Sequence, residues 1–243
     1  EAYYTYLSVK HDPAGAGGDF LVIDIGGGST EVIEGSRGCF GGFVSLPSGS
    51  VKLTEMFIRH DPPLPDEIRS VREHIRLLFN APLVKRDGLL VGTAGTVTTL
   101  ASIVLGVDEY DKGRIHGAKL GLDTINNVIT RLAGMTVAER RVLPGMEKGR
   151  EDILLQGIIL LQEVMAYLGA AEVIVTTAWG TLHYLGEPLP LCGVDGVATS
   201  RIARKQGLAA RVTARAVAQD AADGAIVAGL GMFEQGFYNR LGF

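Results

Sequence analysis

Between residues 19 and 47 the apolar residues come in short β-branched runs broken by glycine turns: FLVIDI, TEVIEG and CFGGFVSL. Runs of this length joined by tight turns predict three antiparallel strands in a meander. The rhythm then changes. In SVKLTEMFIRH and LPDEIRSVREHIRLLF apolar residues recur at three and four, which predicts two helices, the second opening after Pro65 with acidic residues in its first turn. DGLLVGT predicts a strand, TVTTLASIVL a helix, KLGL a short strand and DTINNVITRLAG a helix. REDILLQGIILLQEVMAYLG predicts a long helix with Ile153, Leu154, Ile158, Leu161, Met165 and Leu168 on one apolar face, and EVIVTTA a closing strand. Three strands followed by alternating strand and helix predict an α/β fold, a mixed sheet flanked by helices as in a ribonuclease H-like lobe, over residues 1–186. Residues 187–243 differ. They open with PLPLCG and become Ala- and Gly-rich, with weak helical patterns around TSRIARKQGL and ARAVAQDAADG, and no function is assigned to them.

Bulk properties narrow the function classes. At 243 residues and 47% hydrophobic content the chain can bury a substantial core. The net charge is −4 and the basic residues are scattered, so no footprint for nucleic acid is expected. The apolar stretch ILLQGIILLQEVMAYL is interrupted by Gln and Glu at helical spacing, unlike a membrane span, and no signal peptide is visible, so a cytoplasmic location is expected. Cys39 and Cys192 lie far apart without metal-binding spacing, which suits a reducing compartment. The chain starts at Glu1 rather than Met, and the expectation is that it is part of something longer. An apolar tail hints at association, a homodimer being the simplest form.

The candidate chemistry lies in two glycine loops. In VIDIGGGSTE an aspartate, Asp24, sits inside an apolar strand and is followed by Gly26, Gly27 and Gly28, then Ser29, Thr30 and Glu31. Successive unencumbered backbone N–H groups form a nest for anions, phosphate above all, and the hydroxyls of Ser29 and Thr30 can add donors. Asp24 and Glu31 would repel phosphate unless a metal ion or an attacking water lies between. An ionised carboxylate in an apolar strand is costly without a partner, which makes Asp24 the firmest candidate. The absence of GKS or GKT excludes a Walker loop, and the glycines run into another strand where a dinucleotide fingerprint would open a helix. The plain structural alternative is a bulged hairpin with Asp24 capping a turn. A second loop weighs against that: LLVGTAGTVTTL is strand, glycine turn and helix, aiming N–H groups and the positive end of a helix dipole at an anion.

These blocks, VIDIGGGSTEVI and VGTAGTVTTLAS, together with SLPSGSVKLTE, RIHG before KLGL, ERRVLPGMEKGREDILLQG and EVIVTTA, resemble those of the exopolyphosphatase and guanosine pentaphosphate phosphohydrolase (Ppx/GppA) family. That family lies within the actin, hexokinase and heat-shock ATPase superfamily. The resemblance runs from Glu1 to about Leu185. It implies a two-lobed hydrolase that removes terminal phosphate from inorganic polyphosphate or guanosine pentaphosphate by attack of water with Mg²⁺. By that resemblance Asp24 and Glu31 hold the metal or orient the water. The loop Gly27, Gly28, Ser29 and Thr30 binds phosphate, and Gly95 and Thr96 form the opposing phosphate loop. Glu1, in EAYYTYLSV, is the counterpart of the catalytic general base. Lys52 and Arg150 match basic family positions that neutralise charge on the transferred group; the alternatives are a solvated helix face for Lys52, and for Arg150 a pairing with Glu151 or Asp152. His116 also matches a family block, with a structural role as its alternative.

The chain departs from the family pattern in two places. After the last strand it reads Thr177, Ala178, Trp179, Gly180 where an acid and a base are usual, and residues 1–243 hold no counterpart of the first lobe, so the expectation is a fragment or a chain catalytically incomplete alone. Two other readings follow from those departures and from the loops alone: a polyphosphate-binding or (p)ppGpp-binding sensory module without turnover, and a superfamily kinase.

Overall fold

The computed structural model describes residues 2–10, 12, 18–36, 38–79, 88–107, 111–177, 180–184, 187–194, 208–222 and 227–230. The meander forms as expected. Strands β1 (Phe20–Ile25), β2 (Thr30–Ser36) and β3 (Cys39–Leu46) are antiparallel neighbours. β4 (Leu89–Thr93) joins β1 in parallel, β6 (Glu172–Val175) joins β4 in parallel, and β5 (Lys119–Gly121) lies antiparallel at the far edge. The six-stranded order is therefore β3-β2-β1-β4-β6-β5, the mixed sheet of a ribonuclease H-like lobe.

Helices cover the two faces unequally. One face carries α2 (Ser50–Phe57), α3 (Pro65–Leu78), α4 (Ala94–Leu105), α6 (Leu122–Ala133) and α8 (Leu154–Leu168), with Leu21, Ile23, Ile25, Val32, Leu46, Leu90, Val173 and Val175 pointing into the shared core. The short helices α5 (Lys112–Ile115) and α7 (Val137–Arg141) complete this part of the chain. The long helix differs from its expected one-sided form. Leu155, Ile159, Leu160 and Val164 are buried as fully as Leu154, Ile158, Leu161 and Met165, because α8 packs against α2, α3, α4, α6 and β1 at once. Ile153 falls just before the helix, as its N-cap. Truncating any of these aliphatic side chains to Ala removes buried surface and leaves a cavity, at a cost of about 2–5 kcal/mol.

The other face is met by α1 (Ala2–Lys10), whose Ala2, Tyr6 and Val9 recur at helical spacing and pack on Phe20, Val22, Ile33 and Val91. In-register residues of neighbouring strands share a face, so this surface can be read row by row. The row Val22, Ile33, Val91 lies under α1, and the next row toward the carboxyl ends of the parallel strands is Asp24, Glu31, Ser45 and Thr93. The apolar face thus turns polar in a single step, at the rim where the glycine loops begin.

The chain divides into two compact units, the first of which ends at Ala178. The second unit holds β7 (Gly180–Tyr184) antiparallel to β8 (Glu187–Val194), β9 (Val227–Leu230) parallel to β8, and α9 (Leu208–Ala222). The ARAVAQDAADG pattern falls largely in α9; TSRIARKQGL lies almost wholly outside the described residues.

Candidate functional site

The carboxyl ends of β1 and β4 are adjacent, with Asp24 in register with Thr93, so the two glycine loops that follow them share one rim. Loops at the carboxyl ends of parallel strands are the usual ligand position of open α/β sheets. Three helix beginnings meet beneath this rim. A Cβ on Gly157 of α8 would lie 2.7 Å from Cγ2 of Thr96 in α4 and 3.3 Å from Cβ of Ser50 in α2.

The first loop is held from behind by its carbonyls. Ser50 N–H donates to Gly26 O and Lys52 N–H to Gly27 O, both at 3.0 Å, and a Cβ on Gly49 would lie 2.4 Å from Gly26 O. Bare backbone is therefore required where the two segments touch. The amide of Gly26 donates to Ser29 O, closing the turn at 3.0 Å. For the amides of Gly27 and Gly28 the structure shows no acceptor among the described residues, and Gly28 is exposed. Backbone amides left without a protein acceptor, on a loop whose carbonyls are tied down, are an arrangement in which N–H groups can take an anion.

Asp24 and Glu31 are cross-strand partners, half-buried on the same face. Ser45, on the next strand, donates its hydroxyl to Glu31 Oε1 at 2.7 Å. Thr30 corrects the sequence expectation. It is fully buried and its hydroxyl donates to Ser48 O at 2.8 Å, tying β2 to the segment ahead of α2 instead of facing a ligand.

The second loop begins at Thr93, the N-cap of α4, whose side chain makes no capping hydrogen bond. Ala94 follows with φ of +65°, a left-handed backbone that costs a residue with a side chain of order 1–3 kcal/mol. Thr96 is buried, its hydroxyl directed at Ile25 O across 3.5 Å, so what this turn offers is main chain. Over it lies Arg150. A Cβ on Gly95 would stand 1.8 Å from Nη2, 2.0 Å from Cζ and 2.6 Å from Nη1 of that guanidinium. A cation laid against the positive end of a helix dipole is unfavourable by itself, and the two together can draw an anion.

Arg150 is not paired with Glu151 or Asp152. Its Nε donates to Glu147 Oε2 at 2.5 Å, while Glu151 accepts from Arg141 Nε at 2.8 Å and from the Gly149 amide at 2.6 Å. Lys52 anchors the first loop through its amide, and its ammonium donates to the carbonyl of Pro47. Burial, with Lys52 nearby, lowers the pKa of His74 on α3. His116 is placed at the end of β6, its Nε2 3.2 Å from Asp12 Oδ2 and its Nδ1 3.3 Å from Thr177 Oγ1. Glu1, Ala178 and Trp179 lie outside the described residues. Among the described residues no helix is long and apolar enough to cross a membrane.

The profile of the Ppx/GppA phosphatase family matches residues 1–181. Exopolyphosphatase 2 of Mycobacterium tuberculosis is 33% identical over 168 residues, which is 68% of this chain and 52% of that protein. The bifunctional 3-dehydroquinate synthase/phosphatase of Fusobacterium nucleatum is 30% identical over 165 residues, 65% of this chain and 24% of that protein. Among solved structures, the Aquifex aeolicus PPX-GPPA enzyme superposes with a TM-score of 0.67 at 30% identity, covering 71% of this chain and 57% of its own. An exopolyphosphatase from Cytophaga hutchinsonii gives a TM-score of 0.64 at 26% identity, with coverages of 73% and 59%. The chain spans about half the length of the exopolyphosphatases it matches.

Proposed function

The chain belongs to the Ppx/GppA phosphatase family, and from that premise we propose that it supplies the metal-carboxylate and phosphate-binding half of a hydrolase that releases terminal phosphate from inorganic polyphosphate. The observation that carries this reading is the juxtaposition at one sheet rim of the Asp24–Glu31 pair with two loops of outward main-chain amides and the Arg150 guanidinium.

Each group has a task that follows from its chemistry. The amides of Gly27, Gly28 and Ser29 bind phosphate oxygens on one side, and the first turn of α4 with Arg150 binds them on the other. Donors held in place by secondary structure need no reorganisation as charge shifts onto the leaving phosphate. Magnesium is commonly held by one or two carboxylates together with substrate phosphates, and Asp24 and Glu31 are such a pair on one face. Among the described residues no third His, Cys, Asp or Glu joins them in a closed cage, so the donor set fits an ion shared with substrate. Asp24 and Glu31 would hold it, and when bound it would offset negative charge on the phosphates. Glu1 takes the general-base role the family pattern gives it, accepting the proton of the attacking water.

The donors assigned at this rim bind phosphate oxygens and none reads a base or sugar, so guanosine pentaphosphate is the second substrate to try. The test is phosphate release from medium-chain polyphosphate and from guanosine pentaphosphate by the full-length protein, with and without Mg²⁺. The expected result is Mg²⁺-dependent release from polyphosphate, reduced about 10³-fold by Asp24→Ala. Undiminished release by Asp24→Ala would overturn the assignment. Binding of polyphosphate without release on prolonged incubation would replace it with a sensory role.

A further inference from the structure

The segment from Gly145 to Arg150 lies along α4 as a strap. Gly145, with φ of +83°, touches backbone: a Cβ there would stand 2.3 Å from the carbonyl carbon of Ser102. Glu147 Oε2 accepts from the Thr99 hydroxyl at 3.0 Å, and Arg150 lies against Gly95. The three contact points on α4 are residues 95, 99 and 102, spaced by four and three, so they form one line along the helix. Arg150 N–H donates to Glu147 O at 3.1 Å, which closes the strap into a turn at its helix-start end.

Glu147 is the middle fixing point, and its Oε2 accepts from both the buried hydroxyl of Thr99 and Nε of Arg150. The Nε edge of the guanidinium is therefore occupied, while the structure shows no protein acceptor for Nη1 or Nη2 among the described residues. A guanidinium has two edges that can fork onto an oxyanion. With one edge clamped, the Nη1–Nη2 edge is the one left to present at the start of α4.

We infer that Glu147 is a positioning residue for phosphate recognition: bridged to Thr99, it holds Arg150 so that its Nη1–Nη2 edge faces the anion site at the start of α4. The inference rests on the phosphate-site reading above. The clamp works by removing rotamer freedom from a long side chain before the ligand arrives, and freezing one such side chain is worth up to about tenfold in affinity. The negative charge of Glu147 works in the opposite sense, weakening the attraction of Arg150 for phosphate. Its side chain is more than half exposed, so solvent screens that effect and the positioning role dominates.

The experiment measures binding of inorganic tripolyphosphate by calorimetry, and kcat and KM for polyphosphate, in the full-length protein. Four forms are compared: wild type, Glu147→Ala, Glu147→Gln and Arg150→Ala, with the double variant Glu147→Ala/Arg150→Ala closing a cycle. Glu147→Ala is expected to raise Kd and KM about five- to tenfold with kcat within about twofold. Glu147→Gln keeps an acceptor oxygen for both Thr99 and Arg150 and restores affinity to within about twofold of wild type. In the Arg150→Ala background the Glu147 change has no further effect, because the clamped group is gone. Three results overturn the inference while leaving the phosphate site standing: an unchanged Kd in Glu147→Ala, an equal loss in both backgrounds, or a Glu147→Gln loss as large as that of Ala. Failure of the wild-type protein to bind tripolyphosphate or to release phosphate overturns the phosphate reading itself, and the inference with it. Melting temperatures of each variant separate loss of affinity from loss of fold.

Discussion

Glu31 and Glu163 are both hydrogen-bonded glutamates, but they stand in opposite surroundings. Glu163, on α8 inside the helical layer, is 6% exposed and takes Arg72 Nη1 at 2.5 Å, Arg76 Nε at 2.7 Å and Arg76 Nη2 at 3.1 Å. Glu31, at the sheet rim, is half-buried and accepts one hydroxyl, from Ser45. A carboxylate surrounded by guanidinium groups has its oxygen lone pairs committed and acts as a clamp, here fastening α3 to α8. A carboxylate that takes one neutral hydroxyl at an open edge keeps lone pairs for a cation. The difference between a clamp and a candidate ligand lies in the neighbours, since the side chains are chemically identical.

The contrast breaks most sharply by deleting each carboxylate in turn. Glu31→Ala is expected to lower phosphate release about 10²–10³-fold while leaving the melting temperature almost unchanged, as measured by turnover and calorimetric scans on one preparation. Glu163→Ala should do the reverse. Removing one member of a buried ion cluster strands the others, and because Arg76 is largely exposed the lower end of the usual range applies, about 3 kcal/mol, or roughly 6–12 °C in Tm. Turnover per folded molecule should stay within about twofold. The pH dependence has a definite sign. Burial alone would raise the pKa of Glu163, but the hydrogen bonds and charges of Arg76 and Arg72 outweigh it and lower it. A carboxyl depressed in the folded state stabilises above its unfolded value and loses that contribution as pH falls through the folded value. The acid limb of the stability curve should therefore flatten in Glu163→Gln. A stable Glu163→Ala with impaired turnover would move Glu163 into the catalytic region and dissolve the comparison.

What the sequence reveals divides along the same line. Where the two glycine loops fall is legible, because DIGGGSTE and GTAGT each join a strand to bare backbone, and that pattern is local to a few residues. The three-strand meander and the major helices were legible from period alone. α1 was not: its buried positions Ala2, Tyr6 and Val9 do follow helical spacing, but Tyr3, Tyr4 and Leu7 make the other side apolar too and erase the contrast. α8 reads as a helix with one apolar face, whereas it is buried on all sides, which depends on how many neighbours arrive. Thr30 looks like a ligand-facing hydroxyl in sequence because its partner, Ser48 O, is eighteen residues away. The pairing of Arg150 with Glu147 had a visible signal, an acid three residues earlier, but two nearer acids competed for it. Asp152 and Glu151 are closer in sequence, and only the turn at 147–150 brings Glu147 alongside.

Two glycines on the strap contact sharpen the comparison at smaller amplitude. Gly145→Ala sets a methyl against the Ser102 backbone at a positive φ, and neither helix nor turn can yield cheaply, so about 2 kcal/mol of stability should be lost. At Gly95 the obstacle is the far end of the Arg150 side chain, which can swing aside. Gly95→Ala is therefore expected to change stability by less than about 0.5 kcal/mol while weakening tripolyphosphate binding about tenfold, through displacement of Arg150. Equal losses of stability in the two variants would show that Arg150 is fixed as rigidly as backbone.

The smallest expected effect concerns His116, which lies beside the rim without joining it. Its ring bridges Asp12, beyond α1, and Thr177, just past β6, at 3.2 and 3.3 Å, and it is one-third exposed. Contacts of that length across partly wet surface are weak, so His116→Ala should cost about 1 kcal/mol of stability. Turnover should stay within about twofold, since nothing in the geometry points either ring nitrogen at the glycine loops: one faces Asp12 and the other Thr177. Measuring kcat and Tm together decides between the two roles this residue admits. A tenfold fall in kcat at unchanged Tm would place His116 in the chemistry, and the rim would then extend across β4 to the end of β6.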